Sequence, residues 1–210
     1  MDADGNIYTE VRIGGQVWMV ENLKTTKYRD GIPIPKMSES VYWLPGYCWY
    51  ENDSATYKRP YGALYNWYVV DPQNSRIVAP EGWHVPSDSE WTELQVFLIE
   101  NGYNYDSSKY DNKIAKSLAA TTLWNTENRE GAIGDDLSKN NRSGFSAYPA
   151  GSGGPVEFGG IGNQCYWWTT TIFQESDEVW HRYLDYFYFH LDHGSSAKKI
   201  GLSIRCLRDW

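Results

Sequence analysis

Cysteine is scarce in this chain of 210 residues: Cys48, Cys165 and Cys206 are the only three. That is too few for a disulfide scaffold, and an odd number leaves one thiol unpaired within a monomer. Basic residues are also short, with 19 Lys and Arg against 27 Asp and Glu, for a net charge of −8. Without a Lys/Arg run there is no basic face for a phosphate backbone, so nucleic acid is not the expected partner. No apolar run approaches the roughly 20 residues that cross a bilayer, so no membrane insertion is expected. The opening MDADGNIYTE has neither the basic nor the apolar region of a signal peptide. What is abundant is aromatic: 16% of residues, carried by 17 Tyr and 11 Trp rather than the 6 Phe. Both rings have a polar handle, which suits surface and half-buried positions. There is no internal repeat, low-complexity linker or break in composition, so one α+β domain over 1–210 is the simplest organisation.

Along the chain, Gly14-Gly15 breaks the first apolar segment into two short β-runs, as in a hairpin. Thr25 to Tyr57 carries scattered prolines and reads as irregular, with short strands around Val41-Tyr42-Trp43 and Tyr47 to Tyr50. Arg59 to Val70 is aromatic and apolar and belongs in the core. Ser87 with Glu90 forms a capping box, and Trp91, Leu94 and Leu98 follow at helical spacing, so Asp88 to Glu100 is predicted helical, stopped near Gly102. A second helix is predicted from Asn112 to Ala120, capped by Asp111. Thr121 to Gly162 reads as a long packed loop region anchored by Trp124, Leu137, Phe145 and Tyr148. Strands are predicted at Tyr166 to Thr171, Trp180 to His190 and Ile200 to Leu207.

The aromatic excess concentrates between Cys165 and His193. A core favours apolar side chains without polar tips, whereas this stretch mixes rings with hydroxyls, imidazoles and carboxylates. Such a mixture suits a contact surface, although aromatics are also good strand formers. On the strand from Trp180, taking Leu184 as inward puts Trp180, Arg182, Tyr186, Tyr188 and His190 with it, and His181, Tyr183, Asp185, Phe187 and Phe189 on the other face. Neither face is purely apolar; a bulge or turn near Asp185 to Phe187 would break the alternation. Tyr183, Asp185, Tyr186, Phe187 and Tyr188 are expected to be mostly exposed.

The motifs GGQVWMVENL, YGALYNWYVV, APEGWHVPSDSEW, SGFSAYPAG, YWWTTT and GLSIRCLRD occur in this order. Together they resemble the Fibrobacter succinogenes major paralogous domain over nearly the whole chain. The resemblance implies a C-type-lectin-like fold related to the formylglycine-generating enzymes: two helices on a small twisted antiparallel sheet, with long irregular loops. That scaffold also carries the variable proteins of diversity-generating retroelements, whose C-terminal strands and loops bind ligand. The implied function is non-enzymatic recognition of a protein or glycan ligand, in an extracellular, cell-surface or virion setting. The alternative is an undiversified secreted or surface glycan-binding or adhesion domain, binding through Trp and Tyr stacking. The ligand-binding residues so implied, within about 163–196, are Tyr166, Phe173, Gln174, Trp180, His181, Tyr183, Asp185, Tyr186, Phe187, Tyr188, His190, Asp192 and His193. Trp167, Trp168 and Ile200 to Arg208 would be frame, and the resemblance implies a loop near Asp185 to Phe187. Family members often place a cysteine just before the PxGWHVP motif, suited to pairing with that of the last strand. Val78-Ala79 stands there instead, leaving Cys206 without that partner; a Cys48–Cys206 pair is one arrangement still open, and its geometry is not read from sequence.

Other chemistries fare less well. The formylglycine-generating relatives act through cysteines upstream of the last strand, and Trp180 to Leu202 has none. His181, His190 and His193 match no metal-ligand spacing and read as contact residues, with Cys165 a semi-exposed thiol among them. Ser87, His84 and Asp88 contain the residue types of a hydrolase triad, but the helix start already accounts for them. No cofactor is expected beyond a structural calcium at Asp4-Gly5-Asn6 or Asp135-Asp136.

Overall fold

The computed structural model describes residues 1–173 and 177–209. In chain order the elements are β1 (Glu10–Ile13), β2 (Gln16–Met19), β3 (Tyr47–Cys48), α1 (Ser54–Tyr61), β4 (Leu64–Tyr65), β5 (Trp83–His84), α2 (Asp88–Glu100) and α3 (Ala115–Leu118). They continue with β6 (Ala150–Gly153), β7 (Phe158–Ile161), β8 (Gln164–Ile172), β9 (Glu178–Asp185), β10 (Asp192–Ala197) and β11 (Leu207–Arg208). The fold class is α+β, dominated by sheet.

The local signals around α2 are realised. The Ser87 hydroxyl accepts from the Glu90 amide, and the Glu90 carboxylate accepts from the Ser87 amide at 2.7 Å, closing the capping box. Gly102 follows Asn101 with φ of +74°, which a glycine adopts without Cβ strain. Trp91, Leu94 and Leu98 are buried, and Trp91 packs on Trp18 at 4.6 Å and Trp167 at 5.3 Å between ring centres.

A five-stranded sheet in the order β10-β9-β8-β6-β7 runs between two cores. Cys165, Trp167 and Leu184 face the core built on α2, whereas Trp168 and Val179 face the core of Tyr65, Trp67, Leu202 and Ile204. A four-stranded sheet, β1-β2-β11-β5, closes the N- and C-terminal segments together, and β3-β4 form a two-stranded ribbon. Arg205 is fully buried between them. Its guanidinium donates to Asn22 Oδ1 and to the Phe145 carbonyl (2.6 Å) and lies over the Phe145 ring. Burial without a carboxylate partner pushes its pKa down to about 10.

Several expectations are corrected. The second helix shrinks to Ala115–Leu118, because Asp111 takes a left-handed φ of 57° and Ala119 is extended against Ala147. Helix α1 was not foreseen; Asp53 caps it by accepting from the Ala55 and Thr56 amides, and Arg59 interrupts it. Val41-Tyr42-Trp43 is not a strand: Glu39–Val41 is a 3-10 turn, and the residues after it are exposed. The glycine- and serine-rich strands β6, β7 and β10 were missed, since their order comes from pairing rather than propensity. The last predicted strand is realised as isolated bridges at Gly201, Leu202 and Ser203 followed by β11. All three cysteines are free and buried, so no Cys48–Cys206 bond forms and Cys165 is not semi-exposed.

Candidate functional site

The predicted ligand-binding residues fall into three groups set by the strand register. On one face of the sheet, β8 and β9 pair Tyr166 with Tyr183 and Gln164 with Asp185, and β10 sets Asp192 beside Tyr183. The Tyr166 and Tyr183 rings stack at 5.6 Å, and burial pushes the Tyr166 hydroxyl up to about 12. His181 lies further along this face and is 5% exposed, so it is not the contact residue that the sequence predicts. It is packed by Tyr166, Tyr183 and Trp168. Beneath it sits Gly194, where a Cβ would come within 3.0 Å of the imidazole Nε2. Burial, followed by repulsion from His193, lowers the His181 pKa to about 4, and its Nδ1 has no hydrogen-bond partner.

The opposite face carries Trp180 and His193, whose rings stack at 4.7 Å and 6°. Phe173 meets the Trp180 ring edge-on at 4.6 Å. Arg182, opposite His193 in the β9–β10 register, is buried and ion-paired with Asp88 of α2 at 2.6 Å. His181 and His193 therefore lie on opposite faces, so the sheet itself separates the histidines that crowd together in the sequence. Gln174 lies outside the described residues.

The third group is the β9–β10 connection, Tyr186 to Leu191, where the predicted turn occurs. Asp185 starts it by accepting from the Phe187 amide (2.9 Å), while its other oxygen takes the Gln164 side chain (2.7 Å). The backbone is then held from outside the loop. The Tyr186 amide donates to the Asn163 carbonyl; the Tyr186, Tyr188 and Phe189 carbonyls accept from the amides of Gly134, Ile133 and Ala115. Asn112 grips Leu191 from both sides, its amide group donating to the Leu191 carbonyl (2.7 Å) and accepting from its N–H (3.1 Å). On this frame Phe187 and Tyr188 are exposed, while Tyr183, Asp185 and Tyr186 are half-buried and none of the five is buried. The Arg129 guanidinium lies 5.2–5.4 Å from the centres of the Phe187, Tyr188 and Phe189 rings. His190 stacks on Tyr188 and approaches Asp192 at 3.4 Å.

Sequence reasoning missed a cleft of about 570 Å³ on another side, lined by Tyr42, Ser152, Glu157, Phe158, Lys199 and Ile200. Val41, Tyr42, Trp43 and Leu44 beside it are all exposed. The consecutive apolar run Val41 to Leu44, bounded by Pro45, is the sequence signal for it, and the same pattern fits a short strand.

The other polar clusters singled out in the sequence are bonded within the protein. His84 lies between Glu90 and Asp209, at 2.8 and 2.7 Å, so both ring nitrogens are committed to carboxylates. The hydrogen bond to Glu90 leads the rise in its pKa. Burial works to raise Glu90, but the bonds from His84 and Ser87 outweigh it and hold the carboxyl at about 2. The Ser87 hydroxyl points at Glu90 rather than at His84, which is not a triad geometry. Asp4 accepts from Thr26 and pairs with Lys27, while the Asp135 and Asp136 carbonyls, with that of Ala132, surround the buried Lys116 ammonium. Among the described residues no group of three or more His, Cys, Asp or Glu side chains is placed to hold a metal ion.

The family profile described as the Fibrobacter succinogenes major domain matches residues 11–208. Neither a curated protein nor a solved structure matches the chain. The match runs from β1 to β11 and takes in both cores and the β9–β10 loop, and on that basis this chain belongs to the Fibrobacter succinogenes major domain family.

Proposed function

We propose that this protein is a non-enzymatic ligand-binding module of C-type-lectin-like fold, whose β9–β10 loop and neighbouring strand faces recognise a protein or glycan on a cell surface. The observation that carries this reading is the division of labour in the loop. Its backbone is bonded by Asn163, Ile133, Gly134, Ala115 and Asn112, none of which belongs to the loop. The Phe187 and Tyr188 rings thus contribute area, while the hydrogen bonds that hold the loop at these residues are made by their backbone. A rigid backbone lowers the ordering cost of binding, and exposed aromatic rings are the usual anchors of recognition. Such a loop also tolerates side-chain replacement, as retroelement-driven diversification requires. The buried thiols support the non-enzymatic part, since burial pushes Cys48 up to about 12 and raises Cys165 and Cys206 further.

Glycan and protein arrays probed with the wild type and with Phe187→Ala/Tyr188→Ala test the reading. Binding lost in the double variant, with folding intact, is the expected result; equal binding by both places the site elsewhere. Diversification is tested separately, by a nearby reverse-transcriptase gene and a near-copy of the 3′ coding segment differing at adenines. The undiversified glycan-binding alternative draws on the Tyr42 cleft, and Tyr42→Ala on the same arrays distinguishes it.

A further inference from the structure

We infer that β10 is a self-association edge, through which two copies of this chain pair antiparallel into one continuous sheet. The inference is independent of the ligand. Strand β10 ends the five-stranded sheet and pairs with β9 alone. Among the described residues, its only other backbone bond is the turn from the Ile200 amide to the Ala197 carbonyl. Every second N–H and C=O along its outer side therefore faces outward.

Natural edges of this kind are blunted by charged side chains, lysine above all, by proline or by a bulge, and β10 carries one carboxylate, Asp192, at its first position. The sequence of β10, DHGSSA, has neither lysine nor proline, and its register with β9 is unbroken from Asp192 to Ala197. Gly194, Ser195, Ser196 and Ala197 are small, so another backbone can approach to the roughly 4.8 Å spacing of a sheet.

Charge and symmetry favour a second copy as the occupant. A two-fold axis perpendicular to the sheet keeps each face on its own side, so opposed residues must share a face. Centring the pair on Gly194 meets this condition. It sets Asp192 against the partner's Ser196, whose hydroxyl can donate to the carboxylate, and His193 against the partner's Ser195. No charge meets a like charge. Rings flank the seam on both faces, with Trp180 stacked on His193 on one side and Tyr183 beside Asp192 on the other. A single added strand pair buries little area, so the association is reversible. The loops preceding the two β10 strands emerge at opposite ends of the seam, giving a dimer with two display loops and the avidity that follows.

Sedimentation velocity over a concentration series tests this with the full chain and three variants. Wild type is expected to shift from monomer to dimer. Ser196→Asp puts a carboxylate against the partner's Asp192 at both symmetric positions and should weaken the dimer about tenfold. Ser196→Lys should strengthen it, and the swap Asp192→Lys/Ser196→Asp should restore it. Near-UV circular dichroism confirms that each variant is folded; the Ser196→Lys arm decides alone if the others are not. A wild type that stays monomeric, or Asp and Lys variants that shift association in the same direction, would overturn the proposal.

Discussion

Two parts of one aromatic stretch behave in opposite ways. In the middle of β8 and β9, Trp167, Trp168, His181 and Arg182 are all buried. A few residues on, Phe187 and Tyr188 are exposed on the connecting loop. Composition hardly differs between the two. What differs is the number of layers: mid-strand residues lie between two cores and are covered on both sides, whereas the loop runs past the end of that sandwich. Ring content therefore does not separate frame from contact surface, but distance from the second core does.

The comparison can be broken most severely in the buried part. Trp168 is fully buried and its indole N–H donates to the Tyr65 carbonyl at 2.7 Å. Trp168→Ala should cost about 3–5 kcal/mol in urea unfolding, the usual range for a large aromatic removed from a core. A loss well under that would mean the strands are not frame.

His181 is the next test. Its folded pKa lies below the unfolded value, so the unfolded chain takes up the proton first. Stability should fall as pH drops from about 6.5 toward about 4 and then level off, by on the order of 3 kcal/mol in total. His181→Leu should flatten that part of the urea-midpoint profile; an unchanged slope would assign the acid sensitivity to another group.

Asn112 probes what holds the loop. Asn112→Ala removes both bonds to Leu191 and should cost about 1–2 kcal/mol, with faster hydrogen exchange at the Leu191 amide. Unchanged exchange would show that the other anchors suffice. The smallest stability effect belongs to the exposed rings: Phe187→Ala and Tyr188→Ala should each stay within about 0.5 kcal/mol. A cost above that would place these rings in the core and dissolve the contrast.

Much of the frame was legible without coordinates. Ser87 and Glu90 announce α2 because a capping box is local chemistry, complete within four residues. The turn after Asp185 was legible through the family resemblance, with the mixed faces of the Trp180 strand consistent with it, although the strand was expected to run on to His190 and ends at Asp185. The dissection of the site was not. His181 has the look of a contact residue, and its packing by Tyr166, Trp168 and Tyr183, with Gly194 of β10 leaving room beside the imidazole, puts it under cover. Strand β10 itself has no local preference for extension.

The sequence alone therefore determined the family, the capped helix, the hairpin at Gly14-Gly15 and one of the segments that carry exposed aromatic rings, while the exposed Tyr42 and Trp43 were not anticipated. These rest on interactions between neighbours in the chain or on ordered motifs. Tertiary structure alone decided which rings in that segment face solvent, that the histidines lie on opposite faces, and that the loop is anchored through Asn112, some 79 positions from Leu191 in sequence. Each of these depends on contacts between residues far apart in the chain, and one side chain fits both environments until its partners arrive.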